Sequence, residues 1–279
     1  MRVLIKGAGD LASGIACRLH QCGCSIVMTD LAVPTAVRRT VAFSRAVYER
    51  SAEIEGTTAQ LCSNIDEMQD VLRRGEIAVM IDPEANIRAQ WKPDAVVDAI
   101  LAKHNLGTCI DDAPIVIGVG PGFTAGKDCH CVVETKRGHY LGRCIYTGSA
   151  IANTGVPGNI GGYTTERILR APCDGVFEPV AAIGDTVARG DICGTVNGMP
   201  MRSEITGVVR GLLQSGVVVT KGMKSGDVDP RCERTHCYSV SDKARAVGGG
   251  VLEALLHLNF LAKRKATREH NTRDEVTGI

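Results

Sequence analysis

"VLIKGAGDLASGIACRLHQCGCSIVMTD", residues 3–30, decides how the first half of the chain is read. Val3 to Lys6 reads as a short buried strand, Gly7-Ala8-Gly9 as the turn leaving it, and about Asp10 to Cys22 as a helix. Leu11, Ile15 and Leu19 recur on one helical face, and Ala8, Ala12 and Ala16 let the helix lie close to a sheet. "SIVMTD" is the next strand, ending on Asp30. The whole matches the Gly-x-Gly-x-x-Ala form of the βαβ dinucleotide fingerprint, with an acid about 20 positions further on. In that pattern Gly7 and Gly9 admit a pyrophosphate to the helix N-terminus, and Asp30 accepts from a ribose hydroxyl. Asp10 opposes a phosphate there unless it caps the helix or turns away.

The alternation continues. Residues 64–75 read as a helix with Ile65, Met68 and Leu72 on one face, stopped by Gly75. Residues 77–82, 93–100 and 113–122 read as buried strands. Such alternation predicts a Rossmann-like α/β domain with a parallel sheet, its binding groups at the strands' carboxyl ends. Asp30, Asp82, Asp98 and the loop Gly120-Pro121-Gly122-Phe123 would share one crevice there, with Gly120 and Gly122 as further cofactor-binding positions. Arg38 and Arg39, beyond the Asp30 strand, either contact a phosphate or belong to a solvated helix face paired with Glu49 or Glu53.

Residues 120–143 concentrate titratable groups, among which Lys127, His130 and His139 are the candidates for acid–base chemistry. A regular strand over "DCHCVVET" puts Cys129 and Cys131 on one face and His130 on the other, so no metal site is assigned. "NTGVPGNIGGY", residues 153–163, reads as an ordered connection, a lid or a hinge.

The second half contains an internal repeat. Residues 171–192 fall on 203–224 at an offset of 32, matching Gly175 with Gly207, Val176 with Val208, Gly184 with Gly216, Val187 with Val219 and Gly190 with Gly222. Each unit is a glycine-punctuated strand–turn–strand, and two interlocked units predict a barrel-sandwich hybrid like that of biotinyl and lipoyl domains. The carrier lysine is missing: none occurs between Asp191 and Thr220, and the expected tip reads Gly198-Met199-Pro200-Met201-Arg202. After it, Ser241 or Asp242 caps a C-terminal helix. The glycines 248–250 in that helix imply either close backbone packing or a phosphate contact at a second helix start. The expected organisation is 1–165 Rossmann-like, 166–232 barrel, 233–262 a helix docked on the first domain, and 263–279 a polar tail.

Composition bounds the setting. The 279 residues are 44% hydrophobic and 23% charged, with a net charge of +1, which gives no footprint for nucleic acid or an anionic membrane. Aromatic residues at 4% also leave few base-stacking platforms. The start leaves no room for a signal peptide, and the apolar stretch 251–262 is too short to span a bilayer. A cytoplasmic protein is expected, with homo-oligomerisation left open, whose twelve cysteines are thiols.

"IKGAGDLASG", "MTD", "RRTVAFSRAVYE", "VIGVGPGFTAG", "VVETKRGH", "NTGVPGNIGGY" and "SDKARAVGGGVLEA" resemble the signature blocks of the selenium-dependent molybdenum hydroxylase system proteins, over about residues 1–262. The resemblance implies an accessory or maturation factor that binds a molybdopterin dinucleotide or related nucleotide and assists its modification or insertion. Its partners would be a molybdenum hydroxylase apoprotein or the cofactor-assembly proteins. An NAD(P)-dependent oxidoreductase and a non-catalytic scaffold for a hydroxylase are the alternatives.

Overall fold

The computed structural model describes the backbone of residues 1–277, and the side chains of residues 1–262 and of Arg264. The first half is built on nine strands: β1 (Arg2–Lys6), β2 (Ser25–Asp30), β3 (Ser51–Ile54), β4 (Thr57–Cys62), β5 (Ile77–Ile81), β6 (Ala95–Asp98), β7 (Ile115–Val119), β9 (Cys131–Val133) and β10 (Cys144–Ile145). They form one sheet in the order β10-β9-β7-β6-β1-β2-β5-β4-β3, while β8 (Thr124–Ala125) and β11 (Gly148–Ser149) pair separately. The helices are α1 (Asp10–Gln21), α2 (Ala46–Glu49), α3 (Ile65–Arg73), α4 (Arg88–Trp91) and α5 (Asp242–Thr277).

Both faces of the sheet are covered, which is why the central strands read as unbroken apolar runs. Val3 and Ile5 pack with Ile15 of α1 and Val251 of α5. Leu4, between them, faces the opposite layer with Met68, Trp91 and Phe123.

The expectation of a parallel sheet is corrected: the sheet is mixed. Its interior pairs are parallel, but β3 runs antiparallel to β4 and β10 antiparallel to β9. The β3–β4 reversal is local. Glu55 (φ 47) and Gly56 (φ 78) make a two-residue hairpin turn of the kind that needs positive φ at both positions.

The second half also departs from expectation. Its strands are β12 (Ile168–Arg170), β13 (Gly175–Pro179), β14 (Thr186–Val187), β15 (Ile192–Val196), β16 (Met199–Arg202), β17 (Gly207–Leu212), β18 (Val218–Val219) and β19 (Lys224–Asp229). They form two separate four-stranded antiparallel sheets, β12-β19-β17-β14 and β16-β15-β13-β18, in place of the expected barrel-sandwich hybrid. The repeated glycines do mark turns: Gly184, Gly190, Gly216 and Gly222 all have positive φ. Glycine spacing reports where a chain turns and leaves the closure of sheets undetermined. The hairpin tip moves as well. Asn197 (φ 47) and Gly198 (φ 80) make the turn, and Met199 to Arg202 belong to β16.

α5 starts at Asp242, after a 3-10 turn over Arg234–Cys237. Ser241 Oγ caps it by accepting from the Ala244 N–H at 3.2 Å. The helix is continuous through all three glycines, and two of them serve close packing: Gly248 lies on the Gly14 carbonyl and Gly250 on that of Gly142. Its backbone is helical through residues 263–277, within the stretch expected as a polar tail, and residues 278–279 lie outside the described residues. No helix among the described residues is long and apolar enough to cross a membrane.

Candidate anion-binding site

The sheet order places β1 between β6 and β2, so connections leave to opposite sides there and a crevice opens at the carboxyl ends of β1 and β6. The first β-to-α turn is tied down by its own sequence. Gly7 has φ +90, and a Cβ on it would stand 3.0 Å from the Ala99 carbonyl, so only glycine fits between the two strand ends. Asp30 fixes the turn from the next strand, its carboxylate accepting from Ala8 N at 2.9 Å and Leu31 N at 2.7 Å. That carboxylate faces the backbone instead of waiting for a ribose, and burial raises its pKa.

Gly9 is the N-cap of α1 and has no side chain to satisfy the first amides of the helix. A Cβ added to Gly9 would meet nothing within 4 Å. The first-turn N–H groups of α1 therefore have no capping side chain. Beside them lies the start of α5. Gly14 touches Ala244 and Val240, and Gly248 touches Gly14 and Ile15, so the two helices run the same way with their N-termini at the same edge.

Charged side chains converge here from distant parts of the chain. Arg38 is 6% exposed. It meets Asp10 at 3.4 Å and donates to the carbonyls of His236 and Ser239, leaving its buried Nε without a partner. Lys243, on the first turn of α5, lies near Lys103 from the loop after β6. Neither lysine has a carboxylate bonded to it among the described residues. Desolvation lowers the pKa of both, and for Lys243 the neighbouring Lys103 and Arg137 lower it further against Asp10 and Glu134. Those two carboxylates are engaged elsewhere: Asp10 with Arg38, and Glu134 with the amides of Thr135, Lys136 and Ile151 at 2.7, 2.7 and 2.8 Å. Arg137 is held by Asp242 through two hydrogen bonds, at 2.6 and 2.9 Å. The balance at this edge favours an anion.

The other sequence-derived candidates lie elsewhere or have other work. Arg39 leaves the crevice and donates to Leu212 O at 2.9 Å and Gln214 at 2.6 Å, tying the two halves together. Gly120 and Gly122 allow close packing: a Cβ on either would collide with Thr135 or with the His104 backbone. His130 lies beside the start of β7, where its Nδ1 accepts from Val116 N at 3.0 Å. Lys127 is exposed in the turn after β8, and His139 is exposed with its ring edge-on to Tyr140. Asp82 accepts from Ile87 N at 2.8 Å in the connection to α4. Lys103 and Lys243 were missed in the sequence because no local pattern joins positions 140 residues apart. A cavity of about 610 Å³ borders the site at Glu134 and is lined further by Tyr140, Arg143, Cys144, Tyr146 and Ser149.

The cysteines are unpaired. Burial pushes the thiols of Cys17, Cys62, Cys129 and Cys193 up to about 11, far from nucleophile range at neutral pH. Among the described residues no group of three His, Cys, Asp or Glu side chains is arranged to hold a metal ion.

No family model matches the chain. The chain is 51% identical over 267 residues to an uncharacterized protein, YqeB, of Escherichia coli strain K12, covering 96% of this chain and 49% of the relative. It thus spans about half the length of that curated relative. Among solved structures it matches an aspartoacylase family protein of Mesorhizobium loti at 13% identity and TM-score 0.26, over 81% of this chain and 84% of the other. It also matches a succinylglutamate desuccinylase/aspartoacylase of Rhodobacter sphaeroides at 15% identity and TM-score 0.27, with the same coverage. TM-scores this low establish neither a common fold nor a common reaction.

These findings correct the sequence resemblance. None of the proteins named bears on a selenium-dependent molybdenum hydroxylase system, and no family model supports that membership. The maturation role, the molybdopterin dinucleotide and the hydroxylase partner are withdrawn with it. So is the NAD(P)-dependent oxidoreductase, for which Asp30 is turned to the backbone, and so is the hydroxylase scaffold.

Proposed function

We propose that this chain binds a small molecule through a phosphate group at the carboxyl ends of β1 and β6. One observation carries the reading: α1 begins on an uncapped glycine beside the first turn of α5, whose Lys243 lies near Lys103 and has no carboxylate bonded to it among the described residues. Backbone amides and a helix dipole complement a phosphate, and lysines supply point charges without fixing one geometry. Arg38, buried beside Asp10, balances that carboxylate on the same side. Gly7 shapes the turn under the ligand, and Gly9 leaves the space above it open. The adjoining cavity, with its two tyrosines and Arg143, would receive the organic part. The unpaired thiols favour a reducing compartment such as the cytoplasm.

Calorimetric titration with pyrophosphate at fixed ionic strength tests this directly. The wild type should bind, and the double variant Lys103→Gln/Lys243→Gln should bind at least tenfold more weakly, as expected when charge-assisted contacts are lost (about 1.5–3 kcal/mol each). Equal binding by the two proteins would refute the site.

A further inference from the structure

One edge of the large sheet holds a pair of thiols that the binding reading does not use. Cys131 begins β9 and Cys144 begins β10, and the antiparallel register sets Cys144 opposite Val133 and Ile145 opposite Val132. The two cysteines are therefore diagonal neighbours on one face of the strand pair, within reach of each other's side chains. That face is the one under α5, where Cys131 belongs to the core and Cys144 packs against it. The Cys131 thiol donates a hydrogen bond to the Cys144 sulfur. Cys129 lies in the opposite core layer, because the strand begins only at Cys131 and the regular alternation expected from Asp128 onward is absent. It does not compete for either sulfur.

The two sulfurs differ in access. Cys131 is fully buried. Cys144 is partly buried and lines the cavity of about 610 Å³ together with Tyr140, Arg143 and Tyr146. Its Sγ donates to the Gly250 carbonyl of α5 at 3.0 Å, so the resting pair is a protonated chain from Cys131 through Cys144 to that carbonyl. β10 is an edge strand of two residues. A new bond to it shifts an edge and leaves the sheet interior in place.

We propose that Cys144 and Cys131 form a dithiol–disulfide exchange site, with Cys144 as the attacking sulfur, Cys131 as the resolving sulfur and a low-molecular-weight anionic disulfide such as glutathione disulfide as the oxidant. The proposal goes beyond the binding reading and stands without it. Cys144 Sγ attacks one sulfur of the oxidant; the oxidant's S–S bond breaks, and the first thiol leaves with the proton that Cys144 gives up. Cys131 Sγ then attacks Cys144 Sγ; the mixed disulfide breaks, and the second thiol leaves with the Cys131 proton. Two electrons pass from the cysteine sulfurs to the oxidant, which ends as two thiols. Arg143 in the cavity offers a cation to the oxidant's carboxylates. The second attack is intramolecular, at an effective concentration that exposed thiols elsewhere on the chain cannot match. In a reducing compartment the pair rests as thiols and closes only when the surroundings turn oxidising.

The test equilibrates the reduced full chain in buffers of rising glutathione disulfide to glutathione ratio, quenches with acid, alkylates the remaining thiols and maps the peptides by mass spectrometry. A peptide linked through Cys131 and Cys144 should be the first product. It should be half-formed at a ratio at least about tenfold lower than that at which Cys22, Cys109 or Cys232, the exposed cysteines, is half-glutathionylated. A dithiol reductant should reverse it. In Cys131→Ser, Cys144 should stop at the mixed disulfide with glutathione; in Cys144→Ser, Cys131 should stay reduced.

A first bond formed elsewhere, between Cys22 and Cys24 for instance, would overturn the exchange site. So would oxidation of the cysteines simply in order of their exposure. Glutathione on Cys131 in Cys144→Ser would overturn the assigned order of attack. If either serine variant does not fold, the peptide map of the wild type still decides whether the pair closes first.

Discussion

Gly14 of α1 and Ala244 of α5 are in backbone contact range: a Cβ built on Gly14 would stand 2.6 Å from the Ala244 methyl. This approach sets the two helices side by side with both N-termini at the carboxyl edge of the sheet, and so brings Lys243 to the first turn of α1. Gly14→Val should force the helices apart and cost about 1–3 kcal/mol, the usual penalty of overpacking. Urea unfolding checks the size, and an unchanged midpoint would show that the contact is looser than stated.

The three glycines of α5 should respond differently from one another. Gly248 and Gly250 lie against backbone, whereas the nearest atom to a Cβ on Gly249 is the end of Arg18 at 4.0 Å. Gly249→Ala should therefore stabilise the protein by about 1 kcal/mol through helix propensity. Gly248→Val should destabilise it. Thermal melting of both variants settles the pair, and equal effects would contradict the packing described.

Gly9→Ala separates folding from binding. The position is extended (φ −68, ψ −179) and open on all sides to an added methyl. Stability should stay within about 0.5 kcal/mol of the wild type, while the methyl occupies space a phosphate needs. Weaker pyrophosphate binding with an unchanged melting temperature is the expected result; loss of fold would mean that Gly9 serves the turn itself.

A buried ladder in the second half predicts acid sensitivity. Asp227 is flanked by Arg167 at 2.7 Å and Arg210 at 2.8 Å, and Asp229 meets Arg210 at 3.3 Å and Arg231 at 2.6 Å. Burial alone would lift the Asp229 carboxyl, but hydrogen bonds from Arg231 and the charge of Arg210 outweigh it and hold its pKa at about 2. The folded pKa is lower than the unfolded value of about 3.9, so the stabilisation is complete above that value and is lost as pH falls towards 2. It amounts to about 2 kcal/mol. Arg231→Met should shift acid unfolding, followed by circular dichroism, to higher pH. Arg167→Met should cost about 1.5–3 kcal/mol at neutral pH, because it removes one of the two guanidinium partners of the buried Asp227.

The parts of this fold written in short-range pattern were legible in the sequence. β1, α1 and β2 fall at Arg2–Lys6, Asp10–Gln21 and Ser25–Asp30, within a residue or two of the periodicity in residues 3–30. α3 likewise follows Ile65, Met68 and Leu72, with Asn64 capping it by accepting from Glu67 N at 2.9 Å. The β3–β4 hairpin escaped, although "IEGT" carries its turn at Glu55-Gly56, because the surrounding alternation is weak. The repeat located turns but misled about sheet closure, since strand pairing is decided by contacts between units. Arg38 was visible as a cation, yet its partners at 236 and 239 lie about 200 positions away. Asp30 was found for its position and misread in its role: an acid at the end of β2 is equally suited to holding the turn before α1. Lys103 and Lys243 gain their meaning only from helix packing and loop closure, and neither leaves a mark on composition or spacing.

The most direct test of the central claim is an amide ¹⁵N–¹H titration of the full chain with pyrophosphate at constant ionic strength. The account predicts saturable shifts that are largest at Gly9 to Ser13, Lys103 and Lys243, with the strands of the second half unmoved. Shifts that do not saturate, or that centre on the second half, would contradict it.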